Sequence, residues 1–276
     1  MLSPLHPILA RLTSYPRFQP GLEITEYDVP IAGLSDALDG FTIAHISDLH
    51  VGNGRWNPYR VQETVQALQR VRPDVVVNTG DYLQEAPPIE RVEVFIDRLL
   101  SEPAYGVERP VNLAVLGNHD YYAGEPAVAE LREKLRELGV RLLNNETVMV
   151  ERGTNSVSFT GLSAEEPAFL TRLESLAGVP HPHIALVHEA ETVEQMPHRV
   201  VDLALAGHTH GGQVSLPGLT AGIIRMFNGS RYIAGWYTIS QIPVYINRGL
   251  GCTGLPIRFR AAPELTFFRL RVDRPA

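Results

Sequence analysis

The stretch "LAGHTHGGQV" (205–214) sets two imidazoles, His208 and His210, one residue apart among glycines, directly behind an apolar run. Taken alone, such a pair serves equally as metal ligands, as solvated loop residues or as hydrogen-bonded core residues. The rest of the chain decides among these. Four other short apolar runs end in side chains of the same chemistry: Asp48 and His50 in "SDLH", Asp81 in "TGD", Asn118, His119 and Asp120 in "GNHD", and His188 closing "HIALVH". Scattered solvated residues would not fall at the same end of every run, so the pattern points to a metal site. Carboxylate, imidazole and amide donors without a thiolate suit first-row divalent ions, Mn²⁺, Fe²⁺ or Zn²⁺, rather than Ca²⁺ or an iron–sulfur cluster. The donors suffice for two ions, and ions about 3.5–4 Å apart share a ligand, a part that a two-oxygen carboxylate can play.

The runs that carry these residues read as strands: 41–47, 74–80, 111–117, 183–188 and 202–207 are short, apolar and rich in β-branched residues. Helical patterns alternate with the first three. Residues 58–71 place Val61, Val65 and Leu68 on one face behind Pro58, residues 126–138 do the same with Val128, Leu131, Leu135 and Leu138 ahead of Gly139, and a further helix is expected at 88–100. Strand–helix alternation implies parallel pairing through right-handed crossovers, which gathers the carboxyl ends of the strands along one edge. Glycines at 80, 117, 207, 211 and 212 let the backbone turn tightly there. Downstream, 146–162 reads as a hairpin turning at Gly153 to Asn155, and 231–240, 242–249 and 263–272 as a run of antiparallel strands. Residues 212–230 read as an irregular loop, either an insertion packed on the sheet or part of a substrate entrance. The fold expected is α/β, two mixed sheets packed face to face with helices outside.

Composition narrows the function classes. A chain of 276 residues, 44% hydrophobic and 20% charged, is an ordinary globular protein, expected as one domain over 41–276 with an N-terminal extension, 1–40, packing on or near it. The formal net charge is −7, with acidic and basic residues mixed along the chain, which argues against nucleic acid as a partner. The lone Cys252 excludes an internal disulfide and is read as a packed residue in a cytoplasmic protein. No apolar run spans a bilayer, but Leu5, Ile8, Leu9 and Leu12 near Arg11 and Arg17 suggest peripheral contact with the inner membrane face as one reading, and packing on the domain as the other.

The ordered set "DLH", "GD", "GNHD", a lone histidine after a strand and "GHTH" resembles the five motifs of the calcineurin-like metallophosphoesterases. The tail "GHTHGGQV" with "INRGLGCTGLPIRFRAAPELTFFRL" is similar to the bacterial YkuE and YaeI-like branch, which includes phosphodiesterases and some lipid A precursor hydrolases. The resemblance implies a four-layer α/β/β/α sandwich and a phosphoesterase with two ions. Asp48, His50, Asp81 and His210 are implied for one ion and Asp81, Asn118, His188 and His208 for the other, with Asp81 as bridge; His119 is the implied non-ligand histidine facing the phosphate. Two ions acidify a shared water, so that hydroxide attacks in line, and His119 can protonate the leaving alkoxide. Asp120 either orients His119 or caps the turn. The second motif reads "GDYLQE" where many phosphoprotein phosphatases carry GDxxDR, so a phosphorylated small molecule or lipid is expected over a phosphoprotein, with no protein partner implied. Asn53, Arg248 and Arg258 are candidate phosphate contacts, while His6, His45, His181, His183 and His198 are read as surface or packing residues. A diester or pyrophosphate is the expected substrate; a UDP-2,3-diacylglucosamine-type lipid at the membrane surface is the alternative, and a metal-binding scaffold without turnover is the alternative of another class.

Overall fold

The central strands of this chain are buried and largely apolar on both faces, and each face meets a different core. The computed structural model describes residues 21–51, 58–84, 90–100, 110–216 and 218–274, which form two six-stranded sheets. The first contains β1 (Glu23–Ile31), β2 (Thr42–Ile46), β3 (Val75–Asn78), β4 (Val111–Ala114), β5 (Val140–Leu142) and β12 (Glu264–Val272), in the order β1-β12-β2-β3-β4-β5. The second contains β6 (Thr147–Arg152), β7 (Asn155–Leu162), β8 (His183–Val187), β9 (Leu203–Ala206), β10 (Gly235–Ile239) and β11 (Ile242–Ile246), in the order β10-β11-β9-β8-β7-β6. β2 to β5 run parallel, as do β7, β8, β9 and β11. Six helices accompany the described residues: α1 (Pro58–Val71), α2 (Glu90–Leu100), α3 (Asn118–Tyr122), α4 (Glu125–Glu137), α5 (Phe169–Ser175) and α6 (Thr220–Asn228).

The period of two along the strands sorts side chains between layers. In β2 and β3, Ile43, Val75 and Val77 point between the sheets, where they meet Ile184, Leu186, Leu203 and Leu205 of β8 and β9. The alternate residues Ala44, Ile46 and Val76 face α1, α2 and α4 through Leu68, Phe95 and Leu131. On the far side, Ala185, Val187, Ala204 and Ala206 face Phe169 and Leu173 of α5. Small residues dominate that outer face and larger ones the space between the sheets. Three cores thus separate four layers, the expected helix–sheet–sheet–helix arrangement, and no helix among the described residues is long and apolar enough to cross a membrane.

Three expectations change. The five ligand-bearing strands do not share one sheet: β2, β3 and β4 lie in the first and β8 and β9 in the second. The C-terminal strands are not one antiparallel run. β10 and β11 form a hairpin, but β11 pairs parallel with β9, and β12 crosses to the other sheet, antiparallel to β2 and parallel to β1. Alternation shows that a strand has two faces but carries no information on which sheet edge is open. Finally, 212–230 is not wholly irregular, because α6 occupies Thr220–Asn228. Its buried residues, Thr220 and Ile224, are four apart, but Leu219, Ile223 and Met226 face outward and obscure the amphipathic pattern.

Candidate metal centre

Although they belong to two sheets, the five strands end on the same side of the molecule, and hydrogen bonds tie the two sets of loops together. His208 N donates to both Asp48 oxygens at 3.1 Å, and His188 Nδ1 reaches the Thr79 carbonyl at 2.7 Å. The backbone is held in an unusual state there. Asp48, His50, Asp81, His208 and His210 all have left-handed φ, between 45° and 78°. That conformation costs a non-glycine residue about 1–3 kcal/mol, so it persists only where the surroundings over-determine it. Asp48 N and His50 N are fixed by the Gly80 and Asp81 carbonyls at 2.9 and 3.0 Å. Asp120, fully buried, accepts from Asp81 N (3.0 Å), Gly117 N (2.9 Å) and Leu83 N (2.9 Å), which locks the Asp81 loop against the Asn118 loop. Of the two roles weighed for Asp120, the capping one is what these bonds describe.

Close approach, rather than turning, explains two of the glycines. A Cβ on Gly117 would lie 2.2 Å from Asp81 Oδ1, and one on Gly207 would lie 2.0 Å from Ser47 Oγ and 2.5 Å from Asp48 Oδ2. Neither has positive φ; each is glycine because a carboxylate sits where a side chain would start.

The donors form two groups around a common atom. In one, His188 Nε2 lies 3.0 Å from Asn118 Oδ1, 3.2 Å from His208 Nδ1 and 3.3 Å from Asp81 Oδ2. In the other, His50 Nε2 and His210 Nε2 are 2.9 Å apart, with Asp48 Oδ1 at 3.9 and 3.6 Å from them. His50 Nε2 is also 3.4 Å from Asp81 Oδ2. Asp81 Oδ2 therefore stands between the groups, buried and without a hydrogen-bond donor, while its other oxygen accepts from His119 N at 2.9 Å. Asp48, His50 and His210, and separately Asp81, His188 and His208, are compact enough for each triad to hold an ion. A buried carboxylate oxygen without a donor, facing imidazole nitrogens, is chemistry suited to a divalent cation, so the residues fit the metal pair that their chemistry implies.

Burial pushes the Asp81 carboxyl up, but the positive charge of His188 beside it outweighs burial and holds Asp81 below the usual carboxylate range. Burial likewise works against protonation of His188, yet Asp81 and then Asp48 raise it to about 10. The Thr79 carbonyl takes the Nδ1 proton of His188, which leaves Nε2 as the atom facing Asp81 and Asn118. Burial lowers His50 to about 3 and His208 to about 4, so both are neutral imidazoles over the ordinary pH range. Arg258 Nη2 donates to His210 Nδ1 at 3.0 Å, which leaves the His210 proton on Nε2, facing His50.

The remaining expected residues fall in different places. His119 belongs to neither group. Its ring stands 4.8 Å from that of His50, its Nδ1 faces the Gln84 carbonyl at 3.3 Å, and it is half-buried beside exposed Tyr122. A shallow cleft lined by Gly117, Asn118, Tyr121, Ser163, His188 and Glu189 opens beside the second group. Arg248 and Arg258 do not reach that opening. Arg258 is buried, bound to the Gly251 and Ala261 carbonyls and to His210; Arg248 pairs with Glu264 at 3.0 Å and Glu23 at 3.2 Å. Their guanidinium groups have been spent on packing the 247–264 segment against the site. Asn53 and His6 lie outside the described residues. His45, His183 and Cys252 are buried, while His181 and His198 are bonded to Asp202 and Gln241.

Two residues that support the centre escaped the sequence reading. A Cβ on Gly249 would lie 2.5 Å from Asp48 Cβ and one on Gly251 2.1 Å from Leu49 O, so the loop after β11 passes directly under Asp48. The available signal was the pair of glycines in "RGLG" just behind a predicted strand.

Residues 41–212 match the family model of the calcineurin-like phosphoesterases. The chain is 30% identical over 256 residues to the uncharacterized metallophosphoesterase YkuE of Bacillus subtilis, covering 91% of this chain and 86% of that protein. It is 31% identical over 240 residues to YkoQ of the same organism, covering 83% of each. The phosphodiesterase YaeI of Escherichia coli is 26% identical over 247 residues, covering 87% of this chain and 86% of that protein.

Proposed function

Because the chain belongs to the calcineurin-like phosphoesterase family and is a hydrolase acting on phosphoric ester bonds, we propose that it cleaves a phosphodiester or pyrophosphate at a centre of two divalent ions. Asp48, His50, Asp81 and His210 would hold one ion and Asp81, Asn118, His188 and His208 the other. The observation that carries this is Asp81 Oδ2, buried without a donor, 3.4 Å from His50 Nε2 and 3.3 Å from His188 Nε2. When bound, the ions supply Lewis acidity, lowering the pKa of water and neutralising charge on the phosphoryl oxygens. The donor set suits Mn²⁺, Fe²⁺ or Zn²⁺.

The chain's own residues do the rest. The Gln84 carbonyl holds the His119 proton on Nδ1 and leaves Nε2 to exchange a proton with the leaving alkoxide. His119, Asn118 and His208 are the half-buried members of the site, so the substrate enters over them. Asp120 and Gly117 keep the Asp81 and Asn118 loops in register, so the donors need little rearrangement. The phosphodiesterase name of the Escherichia coli relative and the "GDYLQE" sequence, without the arginine of phosphoprotein phosphatases, favour a diester of a small molecule or lipid.

The test is elemental analysis of protein purified without chelator, with Mn²⁺-stimulated hydrolysis of bis-p-nitrophenyl phosphate and p-nitrophenyl phosphate. Two ions per chain, diesterase turnover, and loss of both in Asp81→Ala are expected. Folded protein that holds two ions and turns over neither ester would favour the scaffold reading instead.

A further inference from the structure

The mixing of charge along the chain has one large exception: no Asp or Glu occurs between Asp202 and Glu264, a span that contains Arg225, Arg231, Arg248, Arg258 and Arg260. The exposed apolar residues concentrate in the same span. Leu219 (59% exposed), Met226 (71%), Leu255 (68%) and Phe259 (50%) are joined by Val214, Leu216, Ile223 and Ile257. They form one surface. Ser215 N and Phe259 N exchange backbone bonds with Phe259 O and Gln213 O at 2.8 Å, and the Gln213 side chain donates to the Thr253 and Leu255 carbonyls at 2.9 and 2.7 Å. On α6, Leu219, Ile223 and Met226 make an outward stripe at i, i+4 and i+7 while Thr220 and Ile224 pack inward. Arg225 and Arg260 are exposed on this surface, and no salt bridge engages either among the described residues. Glu23 and Glu264, which bounds the acid-free span, both pair with Arg248.

A contiguous exposed apolar face of this kind marks an interaction site, and its charge selects the partner. We propose that the face formed by 214–216, 219–226 and 255–260 docks on an anionic phospholipid surface, with the apolar side chains entering the interface and Arg225 and Arg260 meeting the headgroups. Cationic residues flanking an apolar helical stripe are how peripheral helices hold such surfaces. The face is continuous with the metal centre: it begins four residues after His210, and Arg258, within its second segment, bonds the His210 ring. The docking itself does not depend on the ions or on turnover.

The full-length protein is tested by flotation with vesicles of neutral phosphatidylcholine and with vesicles containing about one third phosphatidylglycerol, where each arginine adds about fivefold to partitioning. Roughly 25-fold preference for the anionic vesicles is expected from Arg225 and Arg260 together, collapsing in high salt. The double variant Leu255→Glu and Met226→Glu should lose at least about tenfold of the binding while keeping wild-type turnover of bis-p-nitrophenyl phosphate, which shows that it is folded. Vesicle binding that survives the double variant is due to another part of the chain, such as residues 1–20, and overturns the proposal. So does absence of flotation, or equal binding to neutral vesicles. Light scattering that shows a dimer broken by the same variant, without vesicle binding, would make the face a self-association surface and overturn it as well.

Discussion

Replacing Gly207 by alanine should break one half of the metal centre and leave the other. The added carbon would sit 2.0 Å from Ser47 Oγ and 2.5 Å from Asp48 Oδ2, where ordinary contact needs about 3.4 Å or more, so Asp48 has to move by roughly 1 Å. Overpacking of this kind costs about 1–3 kcal/mol. Moving Asp48 also breaks the bonds that its carboxylate accepts from His208 N, about 1.5–3 kcal/mol for a charged acceptor. The stiffer unfolded chain returns about 0.4–1 kcal/mol. The net loss is about 2–5 kcal/mol, a fall in Tm of about 3–9 °C for a chain of this size. Asp48 belongs only to the group with His50 and His210, so metal content should drop from two ions toward one, with the Asp81, Asn118, His188 and His208 group retained. Gly178→Ala is the control: nothing lies within 4 Å of its added carbon and its φ is not left-handed, so its Tm should stay level or rise slightly. Calorimetry and elemental analysis of both variants decide the matter. A Gly207→Ala protein with unchanged Tm and two ions would refute the reasoning that these loops are held at contact distance.

Three further outcomes are expected. His119→Gln should keep both ions yet lower kcat by about 10²–10⁴ for an alkyl diester, with a much smaller loss for p-nitrophenyl esters, whose leaving group needs no proton; equal losses on both would remove the acid role. Metal binding at neutral pH should release the proton that His188 holds up to about 10, so calorimetric binding heats should scale with buffer ionisation enthalpy, and heats independent of buffer would contradict a protonated His188. His183, buried between Thr160 Oγ1 and the Val200 carbonyl, is lowered by burial to about 4 from 6.5. Below pH 6.5 the unfolded chain takes up a proton that the folded one refuses until about pH 4, so stability falls across that window by about 3 kcal/mol. Urea unfolding from pH 7 to 4 should show this slope, reduced in His183→Gln.

Most of the centre was legible from local order alone. Strands announce themselves by short β-branched runs, and a donor that follows a strand directly must lie at its carboxyl end, so Asp48, His50, Asp81, Asn118, His188, His208 and His210 could be collected before any contact was known. The histidines left out of that pattern illustrate the same logic: His45 and His183 lie inside strands, and both are buried there. Charge and burial were less legible. Arg248 and Arg258 looked available for phosphate because their acceptors, Glu23, Glu264, Gly251 and Ala261, are chosen by chain crossings between the sheets.

By itself the sequence determined the kinds of donor, their order and their place at strand ends, because turn chemistry and alternation act over a few residues. Tertiary structure alone decided that two sheets rather than one supply them. It also placed a single oxygen of Asp81 between histidines 31 residues before it and 107 after it, and turned α6 with its apolar stripe outward. Those outcomes depend on which surfaces are removed from water together, and desolvation is a property of the packed chain, not of any window along it.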